Sequence, residues 1–199
     1  MTDAVRDAAD AAVGGELIVV PTDTVYGIGT RPDYPAATAR VFGAKSRPPD
    51  LELPVLVPSL TSAKQIASFE EPALRLATRF WAGALTLVLR RTELSRGWHL
   101  GGNAETIGVR MPHHPLALAV LTLTGPLAVT SANRSGESTP ATCDGVRAVF
   151  GDRVAVYLCE NSPVEGRAST VVDLTGGEPR FLRVGALAES AVVHALSEA

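Results

Sequence analysis

The segment Leu17-Ile-Val-Val-Pro-Thr-Asp-Thr-Val-Tyr-Gly27 decides how the fold begins, because a short apolar run passes directly into a polar loop. Such a run, halted by Pro21, is typical of a buried β-strand. The stretch from Val5 to Val13 before it has helical spacing and ends at a glycine pair, which indicates a helix. Polar side chains at strand ends are where α/β proteins bind ligands. The loop 21–27 is therefore a candidate site, although a local Asx or hydroxyl turn uses the same residues.

The remainder of the chain continues this alternation of strands and helices. We predict helices over 35–44, 62–68, 72–81, 115–123, 143–150 and 187–196. We predict strands over 17–20, 54–57, 85–91, 106–110, 127–130, 154–158, 169–174 and 180–184. Alternating strands and helices indicate an α/β fold with helices flanking a sheet, and the short late strands indicate a mixed, twisted sheet. Without an internal repeat or a long linker, we expect a single domain over residues 1–199.

Composition excludes several classes of protein. An apolar fraction of 46% and a net charge of −3 exclude general disorder. The same weakly acidic balance argues against a protein that coats nucleic acid. Of the 18 basic residues only Lys45 and Lys64 are lysines. Biased codon usage accounts for such a ratio, but it makes each lysine position worth inspecting.

The chain carries no recognisable signature of secretion, metal binding or the common nucleotide folds. Cys143 and Cys159 are too few for a disulfide framework and lack metal-ligand spacing, and the four histidines also lack it. There is neither a signal peptide nor a membrane span of about 20 apolar residues. The phosphate-loop, dinucleotide and nucleophile-elbow motifs are missing. We expect a soluble, cytoplasmic protein in a reducing setting, with no membrane partner.

Lys45 and Arg47 follow the predicted helix 35–44 directly. Cations at a helix C-terminus are favoured by the helix dipole, so helix capping is one interpretation. If the segment is extended, both side chains project to the same side and form a phosphate clamp.

Further polar groups lie near the ends of other predicted strands. Thr106, Gly108 and Arg110 share one face of a strand because side chains alternate with period two, and the glycine leaves room for a ligand. A cluster of hydroxyl and amide groups over 130–136 follows the next strand, although a plain loop has the same composition. Ser169 and Arg183 lie near the late strands. A basic, hydroxyl-rich site of this kind favours binding of carboxylate and phosphate, with catalysis by positioning and charge stabilisation.

Taken together and in this order, five motifs resemble the threonylcarbamoyl-AMP synthase family, the YrdC-like proteins. They are Pro21-Thr-Asp-Thr-Val-Tyr-Gly27; Lys45-x-Arg47; Thr106-x-x-x-Arg110; Ser131-Ala-Asn133 with Ser135-Gly136; and Ser169-Thr-Val-Val-Asp173 with Leu182-Arg183. The resemblance extends over residues 10–190, and it implies the open, concave YrdC-like architecture in its short, single-domain form.

The resemblance also implies an activity. Members of this family convert L-threonine, bicarbonate and ATP to threonylcarbamoyl-AMP and pyrophosphate, a nucleotidyl transfer that uses Mg²⁺ with ATP. A partner transferase then carries the threonylcarbamoyl group to tRNA, so we expect direct tRNA binding to be weak or absent. No metal ligand set on the protein is expected.

Matching the family's motifs position by position implies the site residues. Threonine is expected to contact Thr24, Tyr26, Arg110 and Ser169. ATP is expected to contact Arg47, Thr106, Ser131, Asn133, Thr139 and Arg183, with Lys45 near the phosphates. Lys45 and Arg47 are the expected catalytic pair.

Two alternatives stay open at this point. The first is a non-catalytic RNA-binding module of the same fold, against which the net charge of −3 argues. The second is a paralogue that adenylates a different carbamoylated amino acid. The segment 48–53, Pro-Pro-Asp-Leu-Glu-Leu, is longer and more acidic than the common form of that loop, which keeps this alternative open.

Overall fold

A computed structural model describes residues 2–164 and 166–197. The strands are β1 (Ile18–Val20), β2 (Gly27–Thr30), β3 (Val55–Leu56), β4 (Leu85–Arg90), β5 (Thr106–Arg110), β6 (Leu127–Ser131), β7 (Val156–Tyr157), β8 (Thr170–Asp173) and β9 (Arg180–Arg183). The helices are α1 (Asp3–Val13), α2 (Pro35–Lys45), α3 (Leu60–Ile66), α4 (Glu71–Phe80), α5 (Glu93–Arg96), α6 (Pro115–Thr124), α7 (Cys143–Phe150) and α8 (Glu189–Ser197). A 3-10 turn over Gly151–Arg153 follows α7.

The strands form one mixed sheet in the order β7-β1-β2-β6-β3-β5-β4-β8-β9. Parallel pairs join β1 to β7, β3 to β5 and β4 to β8. The other neighbouring pairs are antiparallel. The predicted class, an α/β fold with a twisted mixed sheet flanked by helices, is confirmed.

Apolar side chains cover both faces of the sheet. Val19 packs into one core cluster, while Ile18 and Val20 point to the opposite face and pack with α1 and α6. A strand buried on both faces needs a continuous apolar run, which is why residues 17–20 do not alternate with polar ones.

Strand β2 is not predicted from the sequence, and its glycines explain why. Gly27 and Gly29 lower the strand propensity of a short segment, so the stretch reads as the end of a loop. Both glycines are required by the close approach of β6, since a Cβ at Gly27 would lie 2.6 Å from Cγ1 of Val129. The short helix α5 was also not predicted.

The structure joins Cys143, the first residue of α7, to Cys159 in a disulfide with a Cα–Cα distance of 5.4 Å. This pair is not predicted from the sequence, because two cysteines are too few for a disulfide framework and a reducing setting is expected. The parallel pairing of β7 with β1 returns the chain beside the start of α7, and the sequence spacing does not reveal this. No helix among the described residues is long and apolar enough to cross a membrane.

Candidate active site

A cavity of about 300 Å³ opens on the sheet, where the loop before β2 faces the ends of the central and late strands. Its polar lining consists of Thr22, Thr24, Tyr26, Arg47, Glu52, Thr86, Arg110, Thr130, Ser131, Ser169 and Arg183. Apolar residues such as Pro54, Val88 and Leu182 complete the wall. Small-molecule sites combine a concave, largely apolar wall with a few placed polar groups in this way.

Arg110 forms one end of the cavity and is only 6% exposed. Its guanidinium donates to the carbonyl of Gly83 at 2.9 Å, to the hydroxyl of Thr24 at 2.8 Å and to the carboxylate of Asp23 at 2.5 Å. Burial lowers the pKa of Arg110 and the Asp23 carboxylate opposes this shift. The resulting group is a rigid cation that is largely shielded from water, suited to an incoming carboxylate.

Thr24 is held in place by the turn that the polar loop forms. The hydroxyl of Thr22 donates to the carbonyl of Val25 at 2.6 Å and accepts from the backbone N–H of Thr24 at 3.1 Å. The hydroxyls of Thr22 and Thr24 are 2.9 Å apart. The loop therefore fits both interpretations from the sequence: it forms a local hydroxyl turn, and this turn directs the Thr24 side chain toward Arg110 in the cavity.

Tyr26 lies on the cavity wall but is fully buried. Its hydroxyl accepts a hydrogen bond of 3.0 Å from the backbone N–H of Glu160. Its carbonyl accepts one of 2.7 Å from Ala132, just after β6. Tyr26 therefore fixes the loop against two other segments of the chain.

Ser169, Thr86 and Arg183 form a hydrogen-bonded group across β4, β8 and β9. The hydroxyls of Thr86 and Ser169 are 2.8 Å apart. Arg183 donates to the carbonyl of Ser169 at 2.9 Å and to its hydroxyl at 3.1 Å. Burial lowers the pKa of Arg183, which faces the same cavity as Arg47 and Arg110.

Lys45 ends α2 and is 1% exposed. Its ammonium donates to the carbonyls of Ser131 and Asn133, both at 2.5 Å. Burial, and then the charge of Arg47, lower the pKa of Lys45 to about 8. Lys45 is not among the lining residues, and its predicted contact with phosphate stays a prediction.

The segment 45–47 is not extended, so the condition for Lys45 and Arg47 to project to the same side is not met. Ser46 adopts the left-handed conformation with φ +50°, and the N–H of Arg47 returns to the carbonyl of Phe42 at 2.9 Å. Consequently the side chain of Lys45 turns inward while that of Arg47 reaches the cavity. The side chain of Arg47 donates to the carbonyls of Leu51 and Glu52, and burial followed by the charge of Arg183 lowers its pKa.

Asn133 and Thr139 shape the loop after β6 rather than the cavity wall. The amide nitrogen of Asn133 donates to the carbonyls of Arg134 and Glu137 at 2.7 and 2.8 Å. Its amide oxygen accepts from the hydroxyl of Thr139 at 3.2 Å. Neither residue is among the lining residues, whereas Ser131 at the start of the loop is.

The structure thus brings seven of the predicted site residues to one cavity: Thr24, Tyr26, Arg47, Arg110, Ser131, Ser169 and Arg183. It leaves Lys45, Thr106, Asn133 and Thr139 outside the wall. Thr106 lies on the same strand face as Arg110, as predicted, but at the far end of β5, where its hydroxyl is 3.5 Å from the carbonyl of Asn103. Their predicted roles in binding stay predictions.

Sequence reasoning missed Glu52 and Thr86 as lining residues. Thr86 and Val88 both face the cavity because residues two apart on β4 share one face of the strand, a signal that the strand period contained. Glu52 accepts a hydrogen bond of 3.1 Å from the backbone N–H of Gly108. Burial raises the pKa of Glu52 to about 7.

The chemistry available to this cavity is recognition of anions. Three buried or half-buried guanidinium groups and several hydroxyls converge, and the described lining residues include no cysteine or histidine. Within residues 2–164 and 166–197, no cluster of three or more His, Cys, Asp or Glu side chains is placed to hold a metal ion. The described wall is therefore built to hold and orient charged oxygens.

Comparison with known proteins finds relatives over nearly the whole chain. The profile of the Sua5_yciO_yrdC family, described as "Telomere recombination", matches residues 10–185. A provisionally named threonylcarbamoyl-AMP synthase of Mycobacterium tuberculosis is 40% identical over 190 residues, covering 95% of this chain and 87% of that protein. The threonylcarbamoyl-AMP synthase of Pyrococcus abyssi is 38% identical over 185 residues, covering 92% of this chain and 54% of that protein.

Among solved structures, Pyrococcus abyssi Sua5 in complex with L-threonine superposes with a TM-score of 0.88 and 34% identity. The match covers 98% of this chain and 57% of that one. This chain therefore spans a little over half the length of the Pyrococcus protein.

Proposed function

The chain belongs to the Sua5–YciO–YrdC family, and on that premise we propose that it is an L-threonylcarbamoyladenylate synthase. The enzyme is a nucleotidyltransferase that uses L-threonine, bicarbonate and ATP and releases pyrophosphate. Its product serves the threonylcarbamoyladenosine modification of tRNA.

One observation carries this proposal: a single cavity offers a buried carboxylate-binding end and further arginines. At the carboxylate-binding end, the guanidinium of Arg110 donates to the hydroxyl of Thr24 at 2.8 Å. Arg47 and Arg183 face the same space. Such a cavity can bring together the carboxylate of an amino acid and the phosphates of a nucleoside triphosphate, and proximity alone supplies a large part of the rate.

The reaction follows in two balanced steps. The amine of threonine attacks the carbon of bicarbonate, and water leaves as the carbamate forms. An oxygen of the carbamate then attacks the α-phosphorus of ATP, and the bond to pyrophosphate breaks. In the second step charge accumulates on the phosphate oxygens, so fixed cations stabilise its transition state without covalent chemistry on the protein.

The position of each residue in the cavity determines which part of the substrates it contacts. Arg110, with Thr24 and Ser169, binds the carboxylate and hydroxyl of threonine. Arg47 and Arg183 face the phosphates of ATP. Lys45 acts through the loop after β6, since its ammonium holds the carbonyl of Ser131 at 2.5 Å.

Mg²⁺ accompanies ATP in this proposal. The described cavity wall carries one carboxylate, Glu52, so the ion would be held mainly by ATP rather than by a ligand set on the protein. When bound with ATP, the ion would neutralise part of the charge that develops on pyrophosphate.

The product passes to a tRNA threonylcarbamoyl transferase, which makes the cytoplasm the place of action. Direct binding of tRNA is weak, since the chain has a net charge of −3.

Pyrophosphate release from ATP tests the proposal. We expect release to require both L-threonine and bicarbonate, and to fall strongly when serine or glycine replaces threonine. Arg47→Ala should abolish release, while Arg90→Ala, which removes an exposed arginine of β4, should leave it intact. Pyrophosphate formation that ignores threonine would contradict the proposal.

A further inference from the structure

Glu52 is a carboxylate in a cavity that is otherwise lined by cations and neutral groups. Among the described lining residues it alone is acidic, while Arg47, Arg110 and Arg183 are basic. An anion placed here works against the binding of phosphate, because like charges repel in a site of low dielectric constant. A carboxylate at this position therefore indicates a contact with a part of the ligand other than its phosphates.

The backbone around Glu52 is firmly fixed. Arg47 donates to its carbonyl at 2.8 Å. Gly102, with φ +61°, packs so closely that a Cβ there would lie 2.8 Å from Cβ of Glu52. Leu53 donates to the carbonyl of Leu100 at 2.8 Å. These contacts aim the Glu52 side chain into the cavity rather than into solvent.

The carboxylate has spare capacity to accept hydrogen bonds. In the described part of the chain only the N–H of Gly108 donates to it, at 3.1 Å. Arg91 lies near enough to attract it electrostatically, but donates instead to the carbonyls of Thr106, Ser95 and Trp98. A carboxylate can accept about four hydrogen bonds, so most of its lone pairs remain for a ligand.

Glu52 also lies away from the carboxylate-binding end of the cavity. Its partner Gly108 is two residues before Arg110 on β5, which separates the two positions by about 7 Å along the strand. Pro54 and Val88 flank this region and offer apolar surface. A ligand that fills the cavity therefore meets Arg110 with one end and Glu52 with another.

We propose that Glu52 accepts a hydrogen bond from the nucleoside part of ATP, and so directs the triphosphate away from itself toward the arginines. This inference rests on the proposed function. The ribose hydroxyls and the exocyclic amine of adenine are the donors that ATP offers, and both can donate to a side-chain oxygen of Glu52. Acidic side chains recognise ribose hydroxyls in this way in other nucleotide sites.

Calorimetric binding of ATP analogues tests the proposal. The ligands are ATP, 2′-deoxy-ATP, 3′-deoxy-ATP and purine riboside triphosphate, which lacks the adenine amine. The proteins are the wild type, Glu52→Ala and Glu52→Gln, with Glu105→Gln as a control that removes an exposed carboxylate. Glu52→Gln keeps an oxygen that can accept from Gly108, so its fold is retained.

We expect the wild type and Glu105→Gln to bind one analogue at least about fivefold more weakly than ATP. In Glu52→Ala the ratio of the two dissociation constants should approach one, because the acceptor for the missing donor is gone. In Glu52→Gln the ratio should fall below the wild-type value, because one of the two carboxylate oxygens is replaced by an amide nitrogen that cannot accept. If the weakly bound analogue is a deoxy compound, the donor to Glu52 is a ribose hydroxyl. If it is purine riboside triphosphate, the donor is the adenine amine.

Ratios that are the same in the wild type and in both Glu52 variants would overturn the proposal. So would tighter binding of ATP by Glu52→Ala with unchanged ratios, which would place the carboxylate beside the phosphates. Pyrophosphate release by the same wild-type preparation distinguishes the proposed function from the proposed role of Glu52. If no pyrophosphate is released, the synthase activity is contradicted. If the enzyme is active but the affinity ratios are the same in wild type and variants, only the role of Glu52 is contradicted.

Discussion

Arg110 donates a hydrogen bond of 2.8 Å to the hydroxyl of Thr24, a residue 86 positions earlier in the chain. The contact joins the end of β5 to the loop before β2. Neither residue is exposed, so the pair is available to a ligand only from within the cavity. On our account this pair is where threonine binds.

Arg110→Lys should lower kcat/KM for threonine by at least about 100-fold. A lysine carries the charge, but its single nitrogen cannot serve Gly83, Thr24 and Asp23 with the fixed fork that a guanidinium provides. Steady-state pyrophosphate release at varied threonine measures the effect. Arg90→Lys on the exposed end of β4 is the matched control, and a loss of equal size in both variants would refute the role of Arg110.

Lys45→Met should lower the free energy of unfolding by roughly 2–4 kcal/mol. The substitution keeps the apolar stem but leaves the buried carbonyls of Ser131 and Asn133 without their donor. Urea unfolding measures the loss. Lys64→Met removes the exposed lysine of α3 and should be nearly neutral; similar midpoints for the two variants would contradict the anchoring role.

Glu52→Gln should change how stability depends on pH. Burial raises the pKa of Glu52 from 4.5 to about 7, so between these values the folded protein holds a proton that the unfolded chain releases. This contribution to the wild type's stability is complete below 4.5 and is lost as the pH rises through 7.

The variant lacks this dependence. Relative to the wild type it should gain on the order of 3 kcal/mol in unfolding free energy between about pH 4 and about pH 8. Denaturant unfolding at both pH values measures the gain, with Glu105→Gln as the control. If the difference in unfolding free energy between the variant and the wild type is the same at both pH values, Glu52 is not desolvated.

Reduction of the disulfide should lower the free energy of unfolding by about 3 kcal/mol, because the bond closes a short loop in the unfolded chain. Cys143 and Cys159 are 16 positions apart, which sets the size of that loop. Unfolding with and without reductant measures the change. The double variant Cys143→Ser, Cys159→Ser should not respond to reductant; an equal response would assign the effect elsewhere.

Local periodicity was enough to predict part of the site. The alternation of side chains along β5 placed Gly108 and Arg110 on one face, and both line the cavity. The hydroxyl-rich loop 21–27 is a candidate from the sequence because it follows a strand that is apolar throughout, and most of its residues do line the cavity.

What the sequence could not indicate depends on distant contacts. The inward turn of Lys45 requires the left-handed Ser46 and two carbonyls that lie more than 80 positions later in the chain. Likewise, Glu52 faces the cavity because Arg47 and Gly102 fix its backbone. Neither the spacing nor the residue types in these segments encode such partners.

The central claim is that one cavity joins threonine, bicarbonate and ATP. The most direct measurement is mass spectrometry of a reaction that contains the wild-type protein, L-threonine, ATP, Mg²⁺ and carbon-13-labelled bicarbonate. Our account predicts threonylcarbamoyl-AMP that carries the label, formed together with pyrophosphate and absent with Arg110→Lys. Hydrolysis of ATP without any labelled adenylate would contradict it.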